Sequence, residues 1–86
     1  MKRIIFSEDG WIDYLYWQNA DKKTLRKINA LLKSIDKDGA LFGEGKPEKL
    51  KYREGEYSRR IDRKNRLIYE VSTNQIVVKS CKGHYD

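Results

Sequence analysis

The chain has 86 residues and a mass of 10.2 kDa, which suits one domain near the lower size limit for a single stable core. Hydrophobic residues make up 38% and charged residues 37%, and the aromatic residues, at 12%, are too frequent for a disordered chain. One cysteine, Cys81, excludes an intramolecular disulfide framework. No apolar run approaches the ~20 residues that span a bilayer, and only three apolar residues follow Lys2-Arg3, so no signal peptide is expected. We expect one cytoplasmic domain, 1–86.

The charge distribution favours a polyanionic partner. The formal net charge is +6 and the isoelectric point is near 9.5. Residues up to Gly43 include 8 basic and 6 acidic side chains, and residues from Glu44 onward include 11 and 7, so the excess is +2 and then +4. A basic balance attracts nucleic acid or an anionic membrane surface. A solvated lysine face would give the same counts, so charge alone leaves the partner open.

The first half of the chain predicts one strand and two helices. The branched apolar run 2–6 predicts a strand, and Ser7 then predicts a helix N-cap. Asp21 predicts the N-cap of a second helix that ends at Gly39. Apolar residues at helical spacing are expected to face the core. They are Trp11, Tyr14, Leu15 and Trp17 in the first helix, and Leu25, Ile28, Leu32 and Ile35 in the second.

The second half predicts four strands, at 48–53, 56–62, 66–72 and 75–81. The turns that separate them have only two or three residues, and such short turns join antiparallel neighbours. The element order is therefore β-α-α-β-β-β-β. It predicts an α+β domain in which two helices pack on one twisted antiparallel sheet.

Side-chain alternation in the predicted strands places two arginines on one face of the sheet. If Ile61 and Leu67 face the helices, then Arg60 and Arg66 lie on the opposite face of one hairpin. Two guanidinium groups on an uncovered sheet face suit the binding of a phosphate. The plainer alternative is a pair of solvated surface charges.

Metal and nucleotide sites find little support in the sequence. A chain with one histidine and one cysteine has too few ligands for a zinc cluster. Gly45-Lys46 lacks the rest of a phosphate-binding P-loop, since Pro47 replaces its Ser or Thr. Cys81 lies in an apolar strand and is expected in the core rather than as a nucleophile beside His84. We therefore expect no metal and no cofactor.

The remaining candidates for chemistry are one carboxylate and one imidazole. Glu48 follows Lys46-Pro47 where the loop meets the sheet, and His84, the only histidine, is third from the end. Each has a plain alternative, an exposed surface carboxylate and a frayed tail. Combined with clustered arginines and a basic face, they are the groups that a metal-free ribonuclease requires.

Several short motifs keep an order and spacing known from one protein family. They are Ser7-Glu8 with Trp11, Asp13-Tyr14-Leu15-Tyr16-Trp17, Lys27-Ile28-Asn29, Gly45-Lys46-Pro47-Glu48 with Leu50-Lys51, Ser58-Arg59-Arg60-Ile61, Arg66-Leu67-Ile68-Tyr69, and His84-Tyr85. Together they resemble the YoeB/Txe family of bacterial toxins in the RelE superfamily. The resemblance runs from one end of the chain to the other and implies a RelE-like fold.

The resemblance implies a ribosome-dependent mRNA endoribonuclease, the toxin of a toxin–antitoxin pair like YefM–YoeB. Such a toxin cuts mRNA in the ribosomal A site, with the 2′-hydroxyl of the message attacking the scissile phosphate. By position, Glu48 would be the general base, Arg66 would stabilise the phosphate and His84 would be the general acid. The positions that match RNA-binding or phosphate-assisting residues are Lys51, Arg60 and Tyr85.

The resemblance also implies the partners. They are mRNA in the A site, the 70S ribosome, a second copy of the chain in a homodimer, and a cognate YefM-like antitoxin with an acidic segment. Operator DNA would be bound only through the antitoxin complex, and no membrane partner is implied. The main alternative is a non-catalytic module that binds the ribosome or RNA and blocks translation, which needs the basic residues but not Glu48 and His84. A basic structural protein is a third.

Overall fold

A computed structural model of the chain describes residues 1–83. The predicted order of one strand, two helices and four strands is confirmed, and the helices pack on one sheet. The elements are β1 (Arg3–Phe6), α1 (Glu8–Ala20), α2 (Lys22–Asp38), β2 (Glu48–Lys49), β3 (Tyr57–Arg60), β4 (Arg66–Val71) and β5 (Gln75–Ser80). Within this part of the chain, no helix is both long enough and apolar enough to cross a membrane.

The sheet is mixed rather than wholly antiparallel. Its strand order is β1-β5-β4-β3-β2, and β2 to β5 are antiparallel neighbours as predicted. The edge strand β1, however, runs parallel to β5, with Ile4 opposite Ile76. Tight turns set the direction of β3, β4 and β5, but β1 is joined to the rest through two helices, so no turn constrains its direction.

The predicted helix ends are confirmed by their capping contacts. The Ser7 hydroxyl accepts a hydrogen bond from the Gly10 N–H at 3.1 Å and so caps α1. The Asp21 carboxylate accepts the Thr24 hydroxyl at 2.9 Å at the start of α2, and this contact lowers the pKa of the Asp21 carboxyl. Gly39 ends α2 with a positive φ of 91°, a conformation that favours glycine.

The two helices differ in how well their buried faces follow the sequence pattern. In α2 the predicted stripe is confirmed, because Ile28, Leu32 and Ile35 are buried. In α1 the stripe is confirmed only in part: Trp17 is buried and Tyr14 packs against the core, but Trp11 and Leu15 remain 48% and 37% exposed. Because apolar side chains surround α1 on several sides, spacing alone does not identify the side that meets the sheet.

Gly10 allows α1 to lie directly on β5. A Cβ atom at this position would be 2.2 Å from the Val78 carbonyl oxygen, a backbone atom that has little freedom to move. We expect Gly10→Ala to lower the free energy of unfolding by about 2 kcal/mol, in the range for overpacked cores. Urea denaturation measures this change. The control is Gln18→Ala at an exposed position of the same helix, which should shift stability by under about 0.5 kcal/mol. Equal stability of the two variants would contradict this close approach.

Candidate active site

The register of the sheet brings the predicted site residues to one face. Glu48 lies opposite Ser58 on β3, and Arg60 lies opposite Arg66 on β4. Directly opposed residues point to the same side of a sheet, and alternation places Ser58 and Arg60 on the same side of β3. Leu67 belongs to the core under the helices, so these four residues lie on the face turned away from the helices, as the alternation predicts.

Glu48 and Arg66 are in direct contact on this face. Arg66 Nη1 donates to Glu48 Oε1 at 3.2 Å and lies 3.5 Å from Ser58 Oγ. The Arg66 side chain is 15% exposed and that of Glu48 is 62% exposed. An ion pair with one exposed partner adds little to stability. The carboxylate is therefore accessible to a substrate, while the guanidinium is held in place by the surrounding sheet.

The tip of the β3–β4 hairpin adds further positive charge. Arg60, Asp62, Arg63 and Arg66 line an open cavity of about 310 Å³. The Asp62 carboxylate accepts hydrogen bonds from backbone N–H groups of the turn, so it is already engaged within its own turn. Three guanidinium groups around one engaged carboxylate make the cavity a site for an anion such as a phosphate.

The remaining predicted site residues lie apart from this cluster or outside the described part. Lys51 is exposed in the loop that follows β2. The predicted strand 48–53 is wrong beyond Lys49, because the chain turns back after Leu50 and the Glu56 N–H bonds to the Arg53 carbonyl at 3.0 Å. His84 and Tyr85 lie outside the described residues.

The described end of the chain is fixed beside Arg66. The Trp17 indole donates to the Cys81 carbonyl at 2.7 Å, which holds the segment after β5 against α1. Gly83 then donates its N–H to Asn65 Oδ1 at 2.9 Å and accepts the Arg66 N–H at 2.9 Å. Sequence reasoning missed Asn65. The available signal was the spacing of Asp62 and Asn65 in a short turn, where such side chains bond to nearby backbone.

A family model describes this combination of sequence features. The model, a YoeB-like toxin of a bacterial type II toxin–antitoxin system, matches residues 6–85. The chain belongs to this family of toxins. Toxin YoeB of Escherichia coli strain K12 is 43% identical over 84 residues, which cover 96% of this chain and 99% of that protein. The resemblance drawn from the short motifs is thereby confirmed.

Solved structures of YoeB proteins have the same fold. A YoeB dimer from Staphylococcus aureus is 54% identical, covers 98% of both chains and superposes with a TM-score of 0.94. A chain of the heterotetrameric YoeB–YefM complex from the same organism is 55% identical, covers 99% of both chains and has a TM-score of 0.91. The RelE-like α+β fold expected from the sequence is therefore confirmed.

In this YoeB-family chain, a buried arginine fixes the loop that leads to Glu48. Arg59 is fully buried and points toward the helices. Its five N–H donors are all used, by Tyr69 Oη at 2.9 Å, Ser34 Oγ at 2.9 Å, and three carbonyl oxygens. Those carbonyls belong to Gly39, Phe42 and Glu44, at 2.7, 2.7 and 2.8 Å. The loop between α2 and β2 is therefore held against the sheet, and this anchors the backbone that leads into Glu48.

Cys81 lies in the core, as predicted, through an irregularity in β5. Tyr69 is opposite Val78 and Ile68 is opposite Ser80, so Lys79 is an extra residue that resets the alternation. Ser80 therefore shares the face of Ile68, and Cys81 is fully buried on the other side. Burial, assisted by the Asp13 charge, raises the pKa of the Cys81 thiol to about 12. The thiol is therefore neutral at physiological pH, which makes it a poor nucleophile.

Among the described residues, carboxylates do not gather in a way that suits a metal ion. Within residues 1–83, no three side chains of His, Cys, Asp or Glu converge on one point. Glu48 is paired with Arg66, and Asp62 is engaged by its own turn. What the described face presents is one accessible carboxylate among guanidinium groups, an arrangement suited to a phosphodiester.

Proposed function

We propose that this YoeB-family toxin is a ribosome-dependent endoribonuclease that cuts mRNA in the ribosomal A site. The observation that carries the proposal is the contact between Glu48 and Arg66 at 3.2 Å, on the face of the sheet turned away from the helices, where the Glu48 side chain is exposed and the Arg66 side chain is largely buried. A base and a phosphate-binding cation are thus adjacent, on strands that a buried arginine and a tight hairpin hold in place.

The reaction is an in-line displacement at phosphorus. Glu48 takes the proton from the 2′-hydroxyl as that oxygen attacks the scissile phosphate. Arg66, with Arg60 beside it, neutralises the charge that grows on the non-bridging oxygens. His84 donates a proton to the departing 5′-oxygen, so the products are a 2′,3′-cyclic phosphate and a 5′-hydroxyl. Lys51 and Tyr85 bind the RNA around the cut.

Binding of the substrate rearranges one ion pair. In the free protein Arg66 is bonded to Glu48, and the two oxygens of a phosphate present a guanidinium with the same geometry as a carboxylate. A bound phosphate therefore replaces Glu48 on Arg66 and releases the carboxylate toward the 2′-hydroxyl. The exposed end of Glu48 has the space for this movement, since 62% of its side chain faces solvent.

The competing function is a basic module that blocks the A site without cutting. It needs the arginines but neither Glu48 nor His84. The test is induced expression of the wild type and of the Glu48→Ala/His84→Ala double variant, followed by primer extension on a reporter mRNA. Translation-dependent cuts at in-frame positions that vanish in the double variant support the nuclease. Growth arrest without new 5′ ends, equally strong in the variant, would mean a translation blocker.

We also propose that a YefM-like antitoxin neutralises this chain. The S. aureus relative is found in a heterotetrameric complex with YefM. An acidic, partly disordered segment would be attracted by the net charge of +6 and would cover the arginines on the sheet face turned away from the helices. Operator DNA is then bound by the antitoxin part of the complex.

A homodimer is proposed from the apolar surface of α1. Four large side chains on one side of this helix are 37–58% exposed, namely Trp11, Ile12, Leu15 and Tyr16. Contiguous exposed apolar groups of this kind mark interaction surfaces. All the charged residues of α1 are acidic, so an acidic antitoxin segment suits the arginine face better and a second copy suits α1. The S. aureus relative forms a dimer.

We expect Ile12→Glu to convert the dimer to a monomer, because a buried unpaired carboxylate opposes association. Light scattering after size exclusion measures the mass, which for the dimer is twice the 10.2 kDa of one chain. The control is Thr73→Glu, the same charge change at an exposed turn, which should remain dimeric. A dimer in both variants would place the interface elsewhere.

A further inference from the structure

We propose that Asn65 is a positioning residue for the cleavage reaction. It fixes the backbone of Gly83, the residue that precedes the proposed general acid His84 in the sequence. The inference rests on the proposed function and adds to it a residue that the ribonuclease chemistry alone does not require.

Both backbone polar groups of Gly83 are held at the start of β4. Its N–H donates to Asn65 Oδ1 at 2.9 Å, and its carbonyl accepts the Arg66 N–H at 2.9 Å. Gly83 has a positive φ of 92°, a conformation that other residues rarely adopt, so the chain turns at this point. One junction therefore ties the backbone of Arg66 to the residue before His84.

The orientation of the Asn65 amide is set by Asp62. The amide nitrogen donates to Asp62 Oδ1 at 3.1 Å, which turns the amide oxygen toward Gly83. The same carboxylate oxygen accepts the backbone N–H groups of Lys64 and Asn65, each at 2.8 Å. Partial burial opposes the charged form of Asp62, but these hydrogen bonds outweigh it and lower the pKa of its carboxyl. The turn thus keeps Asn65 in one rotamer.

A fixed junction matters because acid–base catalysis is sensitive to distance. A misplacement of about 1 Å can cost about 100-fold in rate. The preceding anchor is at Cys81, where the carbonyl accepts the Trp17 indole at 2.7 Å, two residues before Gly83. The contact with Asn65 adds a second anchor at Gly83, the residue that precedes His84 in the sequence.

The kinetic test compares Asn65→Ala with Asn74→Ala, an exposed asparagine in the neighbouring β4–β5 turn. We expect Asn65→Ala to lower the single-turnover rate on programmed ribosomes about 10–100-fold with unchanged ribosome affinity, and Asn74→Ala to change neither. In a His84→Ala background, Asn65→Ala should cause no further loss, because the group that it positions is gone. An additive loss would show a role independent of His84 and overturn the proposal.

Hydrogen exchange of the Gly83 amide tests the contact without any RNA. We expect exchange at least 10-fold faster in Asn65→Ala and unchanged in Asn74→Ala. Unchanged exchange in both variants would overturn the contact itself, and faster exchange with wild-type cleavage would overturn the positioning role. If the wild type cuts no RNA, the proposed function and the positioning role fail together, and the exchange result still decides whether Asn65 holds Gly83.

Discussion

Arg66→Ala is expected to lower the single-turnover rate of mRNA cleavage about 10²–10³-fold, the usual cost of removing one preorganised donor to a developing oxyanion. The Arg66 side chain is 15% exposed and bonded to Glu48 before RNA arrives, so its guanidinium is aligned in advance. Its charge interacts more strongly with the transition state than with the ground state, because negative charge grows on the non-bridging oxygens. The rate of appearance of new 5′ ends on ribosomes programmed with one mRNA measures the effect.

Two variants separate this role from general charge attraction. Arg66→Lys keeps the charge but loses the planar fork that contacts two oxygens, so an intermediate loss is expected. Arg63→Ala removes the same charge from the lining of the same cavity and should weaken binding and its salt dependence while leaving the bound rate within about threefold. If Arg66→Ala behaved like Arg63→Ala, Arg66 would be a binding residue and not part of the chemistry.

Local chemistry made most of the fold predictable from the sequence. Caps such as Ser7 and Asp21 bond to backbone within three residues, and the turns that join β3, β4 and β5 have five and three residues, so a short window of sequence contains the cause of each. The direction of β1 has no such local cause. It depends on pairing with β5, more than 70 residues away, and no local turn records that choice. The buried side of α1 was predicted only in part for a related reason, because the position of Gly10 is set by its contact with the distant Val78.

The same distinction separates the parts of the site. Glu48, Arg60 and Arg66 could be placed on one face because strand alternation is a local rule. The same alternation puts Arg59 on the helix side, but its burial could not be predicted, since its partners come from the loop after α2 and from Tyr69. The extra residue Lys79 carries no glycine or proline signal, yet it decides that Cys81 is buried. Residues whose roles come from tertiary contacts were found only in the structure.

Glu48→Gln is expected to reduce the rate of cleavage about 10²–10⁴-fold, the range for loss of a general acid or base. The amide keeps the size of the side chain and still offers an oxygen to Arg66, so the sheet and the loop held by Arg59 should be unchanged. Removal of a negative charge beside the bound phosphate should leave affinity for the ribosome–mRNA complex equal or slightly higher. A loss confined to the rate of the bound complex, with no loss of binding, is what distinguishes a base from a binding residue.

The matched control is Glu44→Gln, which removes the same charge four residues earlier. Glu44 pairs through its side chain with Lys27 at 2.6 Å, while its contact with Arg59 uses only the backbone carbonyl, so the loop remains fixed in this variant. Its cleavage rate should stay within about twofold of wild type, since exposed ion pairs contribute little. If Glu48→Gln cleaved as fast as Glu44→Gln, the 2′-hydroxyl would lose its proton to another group, and the contact between Glu48 and Arg66 would serve only to hold the sheet edge.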